Sequence, residues 1–279
     1  MKIPVGIHLG IPDEVYHSYT EDVASNSMLG KMQRSPAHMK AAASDSNTRK
    51  AAYLLGSACH SIILEADSFE STWGRAPDGD RRTKAIKDEW AELIEQYGQD
   101  YVLNNTQYEQ CLAVRDAVAA HSTANALLSA EGESEVTLVW DDPRTGVRCK
   151  SRIDRLPANS GWGILDLKTT KDASKKSFAK SLWAYGYFRQ AAMYRQGLEI
   201  LGDKRHTFTF VCVEKEPPFG VAVYRIDDGS IDAGEMQLQQ LLDVYKSCSD
   251  AGYWPAYPDE IQDIAIPPWA FPEIDKEQE

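Results

Sequence analysis

Arg148-Cys149-Lys150-Ser151-Arg152-Ile153-Asp154 and, after a turn, Gly163-Ile164-Leu165-Asp166-Leu167-Lys168-Thr169 decide how this chain is read. Both stretches alternate with a period of two, as strands do. In the second, Asp166 and Lys168 share one face while Leu165 and Leu167 point into the core. In the first, Arg148, Lys150, Arg152 and Asp154 share a face. Two neighbouring strands would thus hold two carboxylates and an ammonium side by side. Paired carboxylates suit a hard cation such as Mg²⁺ or Mn²⁺, which takes oxygen ligands and keeps waters for exchange. The adjacent lysine can orient or deprotonate an attacking water, and the cation can neutralise charge developing on a phosphodiester. Asp166-Leu167-Lys168 is the only Asp/Glu-x-Lys triplet in the sequence. Composition alone would place roughly two such triplets there, so by itself this one also fits a salt-bridged strand edge.

The flanking sequence sets these strands in a mixed α/β context. Before them the pattern is helical. Ser25 or Ser27 can cap a helix through Met28, Leu29 and Met32, and apolar residues recur at helical spacing over 51–64, 80–97 and 106–121. After Gly132 the period changes to two, with strands predicted over 135–140, 147–156 and 163–169, the first two joined by the turn-forming run from Asp141 to Gly146. A helix over 183–201, strands over 207–214 and 220–226, and a final helix over 232–248 follow. This order implies a central mixed β-sheet flanked by helices. The chain divides into a mainly helical part (1–131), a sheet-bearing part (132–226) and an acidic helix with a proline-rich tail (227–279). Pro255, Pro258, Pro267, Pro268 and Pro272 break up the tail, where Trp254, Tyr257, Trp269 and Phe271 supply apolar contacts; it is expected to strap its own chain or to cross to a neighbour.

Two further spacings accompany the strand pair. Gly56-Ser57-Ala58-Cys59-His60 puts a glycine one helical turn before a histidine, which would let the helix approach a neighbour closely while the imidazole reaches a metal. Gln190 and Tyr194 lie one turn apart on the helix that follows Lys168. Taken singly, a histidine or a Gln/Tyr pair is usually structural. In order, however, G-x-x-x-H, Asp, Asp/Glu-x-Lys and Gln-x-x-x-Tyr resemble the RecB-like branch of the PD-(D/E)xK nucleases, over Gly56 to Tyr194. Ser25-Asn26-Ser27-Met28-Leu29, Arg34-Ser35-Pro36 and the aspartate of Asp-x-Lys look most like the RecE-like (exodeoxyribonuclease VIII) exonucleases.

That resemblance implies a restriction-endonuclease-like core with an N-terminal helical elaboration, and a Mg²⁺-dependent 5′ to 3′ exonuclease acting on linear double-stranded DNA, with Mn²⁺ able to substitute. It makes Asp154 and Asp166 metal ligands, helped by His60 and the backbone carbonyl of Leu167. Lys168 would position the water, Gln190 would orient Lys168 or the scissile phosphate, and Tyr194 would support the site or contact the DNA backbone. Glu135 resembles the family's additional acidic residue near the metal, with its facing open. Ser27, Arg34 and Ser35 are placed at the terminal 5′ phosphate. The resemblance further implies a ring-shaped homo-oligomer around DNA and a single-strand annealing recombinase as partner. The clustered cysteines of iron–sulfur relatives are missing from the sequence, so no iron–sulfur cluster is expected.

Composition bounds the alternatives. With 279 residues and 43% hydrophobic residues the chain can bury a full core. No apolar run approaches the ~20 residues of a membrane span and no secretory leader is visible, so a cytoplasmic protein is expected. Cys59, Cys111, Cys149, Cys212 and Cys248 include no C-x-x-C pair and are read as reduced thiols. The net charge of −12 by itself runs against binding to DNA phosphates. Residues 227–279, however, hold 13 Asp/Glu against Lys246 and Lys276, which leaves −1 for the rest. Nine Lys/Arg against four Asp/Glu over 165–205, and five against one over 31–50, are available for phosphates. A nuclease of other polarity, a single-strand or endonucleolytic enzyme, and a catalytically silent DNA-binding module stand as alternatives.

Overall fold

A computed structural model of the protein describes residues 2–44, 51–80 and 82–267. Along the chain lie β1 (Gly6–His8), α1 (Asp13–Ser18), α2 (Asn26–Met32), α3 (Pro36–Ser44), α4 (Ala51–Leu64), α5 (Ala66–Thr72), β2 (Gly74–Arg75), α6 (Lys84–Tyr97), β3 (Val102–Leu103), α7 (Asn105–Ala120), α8 (Ser122–Leu128), β4 (Gly132–Asp141), β5 (Arg148–Pro157), β6 (Ile164–Thr170), α9 (Lys175–Ala184), α10 (Tyr187–Ile200), β7 (Phe208–Glu214), β8 (Val221–Arg225) and α11 (Asp228–Ala251). Six strands form a mixed sheet in the order β1-β4-β5-β6-β7-β8, and β2 and β3 make a small parallel pair. The predicted mixed sheet flanked by helices is what the chain adopts.

The β4–β5 hairpin is closed by side-chain chemistry legible in the sequence. Asp142 Oδ2 accepts from the Thr145 N–H at 2.8 Å and from Thr145 Oγ1 at 2.6 Å, and Gly146 supplies the positive φ that ends the turn. β6 and β7 run parallel, so α9 and α10 form the crossover between them. Helices cover both faces of this part of the sheet. On one face, residues of α2, α3, α10 and α11 pack with Val136, Leu138, Trp140, Ile153, Ile164, Phe208 and Phe210. On the other, residues of α4, α5 and α7 pack with Leu167, Val211 and Val213. Double coverage explains why Asp166 is as fully buried as Leu165 and Leu167: a parallel strand in the middle of a sheet has no solvent face.

Three sequence expectations need correction. The predicted helix over 183–201 is two helices, because Gly186 adopts φ +67° between α9 and α10, a conformation that breaks the helical run. The final helix is longer than predicted, from an Asp227 cap that accepts from Ser230 N at 2.9 Å to Gly252, also left-handed. Strand β1 and helix α1 were not anticipated; β1 is only three residues long and owes its place to pairing with β4. The described part of the tail straps its own chain. The Pro255 carbonyl accepts from Ala37 N, Trp254 packs on Tyr245, and Tyr257 OH accepts from Arg34 Nε at 3.1 Å. Residues 45–50 of the second basic segment, and Pro268, Trp269, Phe271 and Pro272, lie outside the described residues.

Candidate metal and catalytic site

The site forms where the ladder between β5 and β6 fails. The two strands share one register pair, Arg155↔Leu165. Beyond it Asp154 Oδ2 accepts from the Leu167 N–H at 2.7 Å, so a side chain takes the place of a ladder carbonyl. On the other side of β5, the register of β4 is continuous through Ser134↔Arg155 and Val136↔Ile153, which sets Glu135 opposite Asp154. Glu135 itself has φ +53°, and its ladder pair is absent. A non-glycine residue held there is strained, and such strain concentrates at functional positions. Here it accompanies a second carboxylate set beside the first.

α4 delivers the third ligand-type side chain. His60 Nδ1 lies 3.7 Å from Asp154 Oδ2, and the imidazole also hydrogen-bonds the Leu167 backbone. One ligand atom from each of His60, Glu135 and Asp154 falls within 4.8 Å of the others. The close helix approach attributed to Gly56 is not required: a Cβ there would sit 3.5 Å from Thr169 Oγ1, an ordinary contact. Gly56 instead lines the cleft.

On β6, Asp166 and Lys168 face α10. Lys168 Nζ pairs with Asp166 Oδ1, and Gln190 Nε2 donates to Asp166 Oδ2 at 2.8 Å and to Tyr194 OH at 3.0 Å. Tyr194, Gln190, Asp166 and Lys168 therefore form one connected series. Gln190 reaches Lys168 through Asp166. Lys168 Nζ also lies 4.7 Å from the centre of the Tyr187 ring.

Burial and crowding set the protonation of these groups. Burial, then the Asp154 charge, push Glu135 up to about 9 against the opposing Arg152. Burial, then Asp154, raise Asp166 to about 7 despite Lys168. Asp154 is raised by burial, with Lys168, the Leu167 N–H and Arg152 opposing. Burial and Lys168 depress His60 to about 4, which leaves its imidazole neutral and able to ligate. Burial alone would lower Lys168, but Asp166 and Asp154 outweigh it and hold the ammonium charged. Carboxylates this reluctant to ionise fit a divalent cation, which would replace their protons. One imidazole with carboxylate oxygens suits Mg²⁺ or Mn²⁺ among the hard ions.

His60, Glu135, Asp154 and Lys168 line a cleft of about 550 Å³, and Asp166 lies buried behind it. Ser27 and Tyr194 line it too. Arg34 and Ser35 are not among its lining residues: Arg34 is bonded to Tyr257, and Ser35 is buried, with its Oγ 2.6 Å from His38 Nδ1. Sequence reasoning missed the wall supplied by α1. Arg152 packs 4.3 Å from the centre of the Tyr16 ring, pairs with Asp13, donates to the Ile11 carbonyl at 2.7 Å and lies 3.8 Å from Glu135. Lys150 donates to the carbonyls of Tyr16 and Tyr19. The alternating cations of β5 signalled that something polar covers this face; their partners lie more than a hundred residues away in sequence.

Comparison with known proteins agrees with this architecture. A solved structure from Eubacterium rectale described as "Putative exonuclease" superposes with a TM-score of 0.58 at 15% identity, covering 93% of this chain and 97% of its own; at that identity the likeness is one of fold. A second, SSO0001, covers 68% of this chain and 85% of its own at 15% identity, with a TM-score of only 0.29. No curated protein sequence matches the chain. Residues 25–265 match the family described as PDDEXK-like domain of unknown function (DUF3799). With the sheet, the split β5–β6 ladder and the Asp154/Asp166/Lys168 constellation in place, and the family matched over most of its length, the chain belongs to this PDDEXK-like family.

Proposed function

We propose that the protein is a metal-dependent nuclease that degrades linear double-stranded DNA from its end, in the 5′ to 3′ direction, and leaves a 3′ single strand. The observation that carries this reading is the convergence of His60, Glu135 and Asp154 within 4.8 Å next to the Lys168–Asp166–Gln190 series. A structural ion pair would need no such crowding of buried carboxylates. The exonuclease description of the Eubacterium rectale protein and the RecE-like sequence features support end-dependent action.

A divalent cation held by His60, Glu135 and Asp154, with Asp166 and the Leu167 carbonyl as the further ligands that the family resemblance implies, would offset phosphate charge and acidify a bound water. The chain's own residues do the rest. Lys168, held charged by Asp166 and Asp154, orients the water with its ammonium and faces the charge that develops on the phosphate. Asp166 and Gln190 fix that ammonium in place. As the water adds to phosphorus it gives up a proton to solvent, and the phosphodiester P–O bond breaks to release a sugar oxygen that takes a proton from solvent. The same reading extends to a ring-shaped oligomer and an annealing partner, which sedimentation and co-purification would test.

The test is release of label from linear duplex DNA tagged at the 5′ or the 3′ end, with Mg²⁺, beside Lys168→Ala and a closed circle. Early loss of the 5′ label, absent on circles and abolished by the substitution, is expected. Early loss of the 3′ label would reverse the polarity. Absence of cleavage with either Mg²⁺ or Mn²⁺ would leave a silent DNA-binding fold.

A further inference from the structure

The corner between α9 and α10 presents two large aromatic side chains to solvent beside the cleft. Trp183 is 71% exposed and Tyr185 67% exposed. Neither swings free. The Trp183 indole stacks on the buried Phe188 ring with planes 13° apart and centroids 5.4 Å apart, so one face is fixed on the protein while the side chain as a whole stays largely open. The Tyr185 ring lies 5.5 Å from that of Tyr187, which lines the cleft and sits under Lys168. Aromatic surface thus runs from Lys168 through Tyr187 to Tyr185.

The corner is braced from beneath. Gly186 takes φ +67°, and a Cβ there would lie 2.6 Å from Arg189 Nη2. Arg189, itself buried, donates to Asn26 Oδ1 at 2.8 Å and to Gln237 Oε1 at 2.5 Å. Such bracing preorganises the surface and lowers the entropy lost when a ligand binds. On α9, Lys176, Lys180 and Trp183 recur at i, i+4 and i+7, on one helix face. Both lysines are exposed and without an ion-pair or hydrogen-bond partner among the described residues. In a chain of net charge −12, a cationic stripe that ends in an open indole is a local reversal of the overall charge.

Ammonium groups in line with flat π-faces complement phosphates in line with bases. A duplex hides its base faces in the stack, so only unpaired nucleotides can use both features. We propose that Trp183 and Tyr185, flanked by Lys176 and Lys180, form a stacking platform for single-stranded DNA beside the cleft. The path of that strand into the cleft rests on the nuclease reading above; the platform itself does not need cleavage to be observed.

The experiment is fluorescence anisotropy of a short labelled oligothymidine with the full chain in EDTA, where no cleavage occurs. Trp183→Ala should weaken binding about 5- to 150-fold, the range of one lost base–aromatic stack, while Trp183→Phe retains most of the affinity and thermal unfolding shows both variants folded. Replacing Lys176 and Lys180 together by Gln should flatten the log–log salt dependence by about 1.4, two phosphate contacts on a single strand. Oligothymidine binding by Trp183→Ala equal to that of the unaltered protein overturns the platform. So does a change in sedimenting mass with binding unchanged, which would make the corner an interface between copies. If the unaltered protein binds oligothymidine through Trp183 but cleaves nothing with Mg²⁺ or Mn²⁺, the nuclease reading fails and the platform stands.

Discussion

Glu135 and Lys168 show how a single position acquires its chemistry from its neighbours. Glu135 holds its proton up to about 9 when folded against an ordinary 4.5. Between those values the folded chain binds more protons than the unfolded one, so stability falls as pH rises. Glu135 dominates between about pH 7 and 8: Asp166, raised to about 7, adds to the same slope only below this window, His60, depressed to about 4, is neutral there, and Lys150, lowered to about 8, starts the opposite trend at its upper end. Metal-free protein should therefore melt at lower temperature at the upper end of this window, and Glu135→Gln should flatten the slope; an equal slope in the variant would remove Glu135 as its source. For Lys168→Ala the expected result is a loss of cleavage of roughly 10²- to 10³-fold with folding retained, read by initial rates and circular dichroism. Asp154, Asp166 and Lys168 were legible because strand alternation places side chains without reference to anything distant. The facing of Glu135 was not, because its positive φ departs from the strand pattern that a sequence reading assumes.

Among elements, the pairing of α10 with α11 positions the Gln190–Tyr194 turn. Gly234 on α11 lies close against α10: a Cβ there would stand 2.5 Å from the Phe188 carbonyl oxygen and 3.0 Å from the Ala192 side chain. Backbone cannot yield as a flexible side chain can, so Gly234→Ala should destabilise the protein by about 1–3 kcal/mol, measured by denaturant unfolding; an unchanged midpoint would mean that the helices separate at little cost. The β4–β5 hairpin and the positions of α4 and α7 follow their local patterns closely. α7 even carries its own signal, an Asn104 cap reciprocated by Gln107. The split between α9 and α10 was hidden because Gly186 is tolerated inside many helices, and its left-handed conformation here is held by the Arg189 network.

For the molecule as a whole, the site draws on α1, α4, β4, β5, β6 and α10, so anything that binds it couples to global folding. Mg²⁺ at a hundredfold excess over its Kd should stabilise the native state by about 2.7 kcal/mol, seen as a raised melting temperature that Asp154→Asn abolishes. No shift with either Mg²⁺ or Mn²⁺ would mean that the three ligand-type side chains do not form a metal site. Among the described residues no helix is long and apolar enough to cross a membrane. The tail, open between two expectations from sequence, lies in its described part against α3 and α11, where Trp254 and Tyr257 find apolar and hydrogen-bonding partners.

The strand pair, its carboxylates and lysine, the helix bearing His60 and the Gln190/Tyr194 turn could all be read from residue order, because period and spacing are local properties of the chain. The parting of β5 from β6, the strained backbone that sets Glu135 beside Asp154, and the α1 wall that pairs Arg152 with Asp13 and accepts hydrogen bonds from Lys150 arise from contacts across long stretches of sequence. Their energies depend on burial and on distances between elements, and these exist only once the sheet and its helices have packed.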